Sequence, residues 1–124
     1  MAPGISPERR RNPRLTAQLP VAISEASMTV EAQTNNLSAS GVYCTLDRFL
    51  PPMSKLQLHL ELPNGRSHAT IRCAGVVVRI EPMIANAQRG RYHIAIFFTD
   101  VSERDRLAIA RFVQLRLSAT PATD

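Results

Sequence analysis

The chain has 124 residues, of which 44% are hydrophobic and 20% charged, with a net charge of +5 at pH 7. This composition is typical of a globular protein, and the length favours one domain with a real core. The sequence has no run of apolar residues long enough for a transmembrane helix. Residues 1–8, MAPGISPE, lack the apolar segment of a secretory signal, so we expect a cytoplasmic protein.

The basic residues are almost all arginine, because Lys55 is the single lysine among 15 basic side chains. A guanidinium group offers a planar fork of donors that fits phosphate or a guanine edge better than an ammonium group does. The bias therefore points to geometric recognition of such groups, although a GC-rich genome would produce the same bias.

Four arginines cluster before the first patterned segment, within residues 8–14 (ERRRNPR): Arg9, Arg10, Arg11 and Arg14. Pro13 fixes its own φ and biases Asn12 away from the helical region, so the run should be extended or turned. Such a cluster suits anions, but a solubilising disordered tail has the same composition. We treat residues 1–15 as a flexible basic arm.

Three short strands are predicted in the first third of the domain, which we place at residues 16–118. Residues 16–25 alternate loosely and residues 28–34 alternate clearly, which indicates two strands. Residues 35–41, NNLSASG, are small and polar and predict a turn or irregular loop. Residues 42–46, VYCTL, predict the third strand.

Residues 55–73 predict a β-hairpin, because LQLHLEL alternates strictly and Asn64-Gly65 is a strong turn signal. A two-residue turn there would pair Pro63 with Arg66. Leucines 56, 58 and 60 then share one face with residues 69, 71 and 73, and the face with His59 and His68 should be solvated.

The remaining elements are one or two strands and a helix. Residues 75–80 extend the hairpin or start a new strand after a bulge at Gly75, residues 81–90 form a loop, and residues 91–98 form the last strand. Ser102 should cap a helix, with Asp105 completing a capping box and the end near residue 118. Its apolar stripe comprises Ile109, Phe112, Val113 and Leu117, helped by Ala108 and Leu115.

This order predicts a mainly β fold, a small antiparallel β-barrel of about six strands with one C-terminal α-helix over an open end. Residues 119–124 would be a disordered tail. Cys44 and Cys73 lie in apolar segments without CxxC spacing and should be buried free thiols. His59, His68 and His93 show no metal-ligand spacing, and no catalytic motif is present, so we expect no metal, no cofactor and no enzymatic activity.

Two motifs stand in order along this pattern: Arg10 and Arg14 form RxxxR, and Asn36, Ser38 and Gly41 form NxSxxG. On a curled barrel, the entry to the first strand and the following turn can share one surface. This combination closely resembles the PilZ domain, a bacterial receptor module for cyclic di-GMP. The resemblance extends over residues 8–117.

The resemblance implies a role for each motif residue. Arg10 and Arg14 would contact guanine edges and phosphates of cyclic di-GMP. Asn36 would accept from guanine N–H groups, Ser38 would donate to a phosphate or base, and Gly41 would allow a positive φ or a close approach of the ligand. Asn36 stands where the family more often has an acidic residue, which implies a modestly lower affinity.

Three further arginines are candidates for the same site. Arg9 and Arg11 flank the motif. The resemblance implies that the residue before Arg10 influences how many ligand molecules are bound, and a basic Arg9 favours two over one. Arg79, on a late predicted strand, would help, although a solvated strand charge explains it equally well.

The resemblance thus implies a cyclic di-GMP receptor, and we expect it to order its arginine arm on binding and to signal to an unidentified protein effector. Motility, polysaccharide export and pilus control are all open as the process controlled. The alternatives are a ligand-independent PilZ-like adaptor and a general nucleic-acid-binding domain. We expect no DNA or RNA partner, because Phe97, Phe98 and Phe112 are better explained as core than as stacking surfaces. We expect no membrane insertion, because no apolar run is long enough to span a bilayer.

Overall fold

The computed structural model describes residues 13–83 and 90–119. Arg9, Arg10 and Arg11 lie outside these ranges. The described residues form seven strands and one helix: β1 (Leu15–Thr16), β2 (Pro20–Glu25), β3 (Met28–Ser38), β4 (Gly41–Leu46), β5 (Lys55–Asn64), β6 (Ser67–Pro82), β7 (Tyr92–Asp100) and α1 (Glu103–Ala119).

The strands form a closed antiparallel barrel. Strands β3, β2, β5, β6, β7 and β4 are neighbours in that order, and β4 pairs with β3 to complete the ring. The two-residue strand β1 pairs with the end of β3. The mainly β prediction, with six barrel strands and one C-terminal helix, is confirmed.

The core follows the alternation of the strands. Leu58 and Leu60 on β5, Ile71 on β6 and Ile94 on β7 are all at most 2% exposed. Successive side chains of a strand point to opposite faces, so one set fills the barrel and the other faces outward. The outward set is therefore available for binding without any change to the core.

Helix α1 packs on the barrel through Ile109, Phe112 and Val113, which are buried. The Ser102 hydroxyl caps it by accepting the Asp105 backbone N–H at 3.0 Å. The other half of the predicted capping box would direct the Asp105 carboxylate to the Ser102 backbone N–H. This carboxylate instead lies 3.4 Å from the backbone N–H of Arg72 on β6.

The expected apolar stripe is wrong at its C-terminal end. Leu115 is 60% exposed and Leu117 is 40% exposed. Leu115 follows Ile109 by six residues, which at about 100° per residue places it about 120° away from the buried side of the helix. Leu117 lies one turn beyond Val113, the last of the buried residues.

The predicted first strand is in fact two strands, β1 and β2, that follow the same side of β3. The break is filled by Thr34, whose side chain is fully buried. Its hydroxyl accepts the Leu19 N–H at 3.0 Å and donates to the Ala17 carbonyl. Thr34 thereby satisfies two backbone groups that regular strand pairing would leave unpaired.

Strand β3 continues through the stretch that was predicted as a loop. Asn36 pairs with Thr16 on one side and Tyr43 on the other, so backbone pairing on both sides overrides the polar composition. Asn36 and Ser38 therefore lie on a strand, and only residues 39–40 form the turn.

The predicted hairpin is present with a register shifted by two residues. Asn64 pairs with Ser67, and Gly65 occupies the first central turn position with a φ of +64°. A glycine in this place is typical of a type II′ turn. A two-residue shift keeps every side chain on its predicted face, which is why the pattern could not distinguish the two registers.

Strand β6 runs without interruption past Gly75, with irregular pairing to β7 at Ala74/Gly75 and again at Val77/Arg79. The predicted extension is therefore confirmed, and the alternative of a new strand after Gly75 is wrong. The strand continues to Pro82, into the predicted loop, of which residues 84–89 lie outside the described ranges.

Cys44 and Cys73 are buried free cysteines, as expected. Burial raises the pKa of Cys44 to about 12 and that of Cys73 to about 11.

Within the described ranges, no helix is long and apolar enough to cross a membrane. No cluster of three or more His, Cys, Asp or Glu side chains that could hold a metal occurs there either.

Candidate functional site

The site begins where β1 meets β3. Because Thr16 pairs with Asn36, Arg14 enters β1 close to the Asn36 side chain. Arg14 Nη1 donates to Asn36 Oδ1 at 2.8 Å. One residue from each motif is therefore in direct contact, although the two lie 22 positions apart in the chain.

Tyr43 brings a second arginine to this contact. It is the β4 partner of Asn36, and its ring faces outward. The Cζ atoms of Arg14 and Arg79 lie 5.2 Å and 5.9 Å from the ring centroid, within the range of cation–π attraction. The ring therefore holds two guanidinium groups near one another on the outer surface.

Arg79 is also bonded to the edge of the same ring, since its Nη2 donates to the Tyr43 hydroxyl. This hydrogen bond raises the pKa of Arg79 above its ordinary value. Arg79 therefore lies beside Arg14 at the same ring, and its part in ligand binding stays a prediction.

A pocket of about 290 Å³ opens at this place. Strands β4, β6 and β7 form its floor and the entry to β1 forms one side. Its lining comprises Arg14, Ser40, Gly41, Tyr43, Val78, Arg79, Ala95, Ile96 and Phe97.

Gly41 is required by the barrel itself. A Cβ atom at this position would lie 2.3 Å from the Ile96 carbonyl oxygen of β7. The φ of Gly41 is not positive, so the expected left-handed conformation is absent, and the close approach is that of β7. Glycine thus lets β4 and β7 meet at the pocket floor.

Ser38 is fully buried and bonded within the turn. Its hydroxyl accepts the Ser40 N–H at 3.2 Å and lies 3.1 Å from the Ser40 hydroxyl and 3.4 Å from the Gly41 carbonyl. In this arrangement Ser38 shapes the turn that carries Ser40 to the pocket.

The sequence interpretation missed six lining residues: Ser40, Tyr43, Val78, Ala95, Ile96 and Phe97. Phe97 was expected in the core, and this is wrong, because it is 52% exposed, whereas Phe98 and Phe112 are buried. The alternation contained the signal, since inward Ile96 and Phe98 require Phe97 to point outward. The same reasoning would have found Tyr43 between Val42 and Cys44.

The chemistry of these groups suits a planar, anionic ligand. Two guanidinium groups supply charge and forked donors, the tyrosine supplies an aromatic face, and Asn36 supplies an amide beside them. No carboxylate is among the described lining residues. A nucleotide has the corresponding parts, namely a base and phosphates.

The PilZ domain family matches residues 8–115, and the chain belongs to this family. No curated protein matches the chain. Solved structures match the chain over about 90% of its length and show which fold it has.

The inhibitor of motility MotI/DgrA from Bacillus subtilis superposes with a TM-score of 0.81 at 21% identity, covering 91% of this chain and 53% of its own. YcgR from Escherichia coli, solved in complex with c-di-GMP, gives 0.69 at 17% identity, covering 90% and 47%. The isolated PilZ domain of YcgR with c-di-GMP gives 0.65 at 16% identity, covering 90% and 94%. The chain thus spans about half the length of the first two proteins, and these likenesses establish the fold.

Proposed function

We propose that the protein is a receptor for cyclic di-GMP that passes the signal to a partner protein. The observation that carries the proposal is the cluster of Arg14, Tyr43 and Arg79 beside Asn36, at the pocket floored by Gly41. Membership of the PilZ family and the c-di-GMP complexes of YcgR support the same ligand.

Each group has a role in this proposal. Arg14 and Arg79 bind phosphate or the O6/N7 edge of guanine, for which a guanidinium fork is suited. The Tyr43 ring borders the base, and Asn36 accepts a guanine N–H while Arg14 pivots towards the ligand. In this arrangement Ser38 contributes by holding the shape of the turn that carries Ser40. It can contact a ligand only if that turn changes conformation.

The size of the pocket suggests what the N-terminal arm does. Its volume of about 290 Å³ is at the lower end of the roughly 300–1,000 Å³ usual for ligand pockets. A cyclic dinucleotide would therefore extend beyond it and need a further cover. We assign that cover to Arg9, Arg10 and Arg11, whose ordering over the ligand is the signal in this proposal.

The proposed contacts supply enough binding free energy for a micromolar affinity. A micromolar dissociation constant corresponds to about 8 kcal/mol. Three or four charge-assisted hydrogen bonds of about 1.5–3 kcal/mol each, with base stacking, reach this value after the ordering of the arm is subtracted. A charged Arg9 would add contacts to a second ligand molecule, so the proposal favours two molecules per chain.

The proposal assigns no catalytic step and no cofactor. It places the protein in the cytoplasm, where buried free thiols such as Cys44 and Cys73 persist. Since the Bacillus subtilis protein of the same fold is an inhibitor of motility, motility is the first process to test.

Isothermal titration of cyclic di-GMP into the protein tests the proposal, with Arg10→Ala and Arg14→Ala as variants. Arg48→Ala is the matched control, because Arg48 is exposed and its Nη1 contacts Met28 Sδ. We expect saturable binding that Arg48→Ala retains and both other variants lose by tenfold or more, with no binding of cyclic di-AMP. An absence of binding would favour the ligand-independent adaptor, whereas equal binding by all variants would place the ligand away from Arg10 and Arg14.

A further inference from the structure

A second concave surface lies between α1 and the tip of the β5–β6 hairpin. It is a groove of about 720 Å³. Its hairpin wall comprises residues 62–65 and 69, and its helical wall is formed by Arg104, Leu107, Ala108, Arg111, Phe112, Leu115 and Arg116. None of these residues lines the pocket with Tyr43.

The groove exposes large apolar side chains. Leu107 is 58% exposed and Leu115 is 60% exposed, which is unusual for two leucines of one helix that share a concave surface. They are separated by eight residues, or about 12 Å along the helix axis. Apolar side chains exposed together in a groove are typical of an interaction site.

The rim of the groove is positively charged. Arg104, Arg111 and Arg116 line it, and no carboxylate is among the described lining residues. Arg104 Nε lies 3.9 Å from the carboxylate of Asp105, which is outside the lining. Arg116 lies over the Phe112 ring at 4.8 Å, so one charge sits directly on the apolar floor. A partner that supplies both apolar side chains and negative charge would therefore fit this surface.

We propose that this groove binds an acidic amphipathic helix of a partner protein. Two large apolar side chains of that helix, about 12 Å apart, would pack on Leu107 and Leu115, and its carboxylates would pair with the arginine rim. Large apolar side chains buried at the centre of such an interface supply most of the affinity. Complementary charges at its rim orient the partner and raise the association rate.

A second copy of the chain fits this surface poorly. In an antiparallel pairing of two α1 helices about a two-fold axis, Leu107 would meet Leu115 and Arg111 would meet Arg111 of the other copy. Like charges in contact oppose such a dimer. A flat membrane surface also fits poorly, because it cannot fill a groove walled by the hairpin tip.

The test starts from a random peptide library displayed on phage and selected on the wild-type protein. The probes are the enriched peptides, synthesised with a fluorophore and titrated by anisotropy. We expect them to combine Asp and Glu with Leu, Ile, Phe or Trp at helical spacing. Enriched peptides without acidic bias would overturn the proposal.

Variants then locate the binding. Arg111→Glu and the pair Leu107→Ser with Leu115→Ser should each weaken binding by about tenfold or more. The matched controls are Arg48→Glu and Met53→Ser, which change exposed residues outside the groove, Met53 being 70% exposed. Equal affinity of Arg111→Glu and Arg48→Glu would contradict the assignment.

Two further measurements distinguish a partner helix from the other possible occupants of the groove, which are a membrane surface and a second copy of the chain. Co-sedimentation with phosphatidylserine–phosphatidylcholine vesicles that Arg111→Glu abolishes would overturn the proposal in favour of a membrane surface. A dimer in analytical ultracentrifugation that the double leucine variant dissolves would overturn it in favour of self-association. Because the groove and the pocket share no lining residue, Arg111→Glu should leave cyclic di-GMP binding unchanged, and the two proposals fail separately.

Discussion

Arg14 and Asn36 are joined by a hydrogen bond of 2.8 Å between the guanidinium group and the amide oxygen. This bond brings the end of the basic arm onto the barrel. The same amide oxygen is the group proposed to accept from guanine, so the arginine and the base share or compete for one acceptor. The identity of residue 36 should therefore control affinity.

Asn36→Asp should bind cyclic di-GMP more tightly, by about three- to tenfold, or about 0.7–1.4 kcal/mol. A carboxylate has two oxygens, so Arg14 and a guanine N–H can be satisfied together, and each bond gains charge assistance. Titration calorimetry checks this, with Asn35→Asp as control, because the Asn35 side chain accepts from Thr45 and lies outside the pocket. Weaker binding by Asn36→Asp would mean that the new ion pair locks Arg14 in place.

Tyr43→Ala should weaken the same binding by about 5- to 30-fold, since it removes the ring that both guanidinium groups lie against. Tyr43→Phe keeps the ring and loses only the hydroxyl bonded to Arg79, so it should remain within about threefold of wild type. Thermal melts of both variants establish that they are folded. Wild-type affinity in Tyr43→Ala would exclude the ring from the site.

Thr34→Val should lower the free energy of unfolding by about 1–3 kcal/mol, because the Leu19 N–H and the Ala17 carbonyl lose their buried partner. Thr34→Ser retains the hydroxyl and is the matched control. Urea unfolding measures both. If the valine variant is as stable as the serine variant, the hydroxyl does not hold β1 and β2 together.

Gly41→Ala should lower the free energy of unfolding by about 1–3 kcal/mol, because the new methyl group would collide with the Ile96 carbonyl. Gly65→Asn is the comparison, since Gly65 has a positive φ but no atom near its absent side chain, and asparagine tolerates that φ. We expect the asparagine variant to stay close to wild type. The reverse order of stabilities would show that backbone freedom matters more than the β4–β7 contact.

The alternation of apolar residues predicted the barrel because it depends only on which face each residue occupies. The hairpin register was two residues off for the same reason, since both registers bury Leu58 and Leu60. The division of the first strand depends on Thr34, a long-range side-chain contact that no local pattern contains. Motif spacing indicated Arg14 and Asn36, whereas Tyr43 and Arg79 come together only when the ring of strands closes.

The closed ring has a consequence for how other proteins recognise this one. In the described part of the chain, all six barrel strands have neighbours on both sides along the ring. The short β1 adds an edge, and the tip of the β5–β6 hairpin extends beyond the ring, since residues 67–73 of β6 pair only with β5. Around the closed part of the ring, a partner has no free backbone onto which it could add a strand of its own. Recognition depends on outward side chains, and these can change in evolution while the inward set keeps the fold. One scaffold can thus acquire new partners by substitutions that cost it little stability.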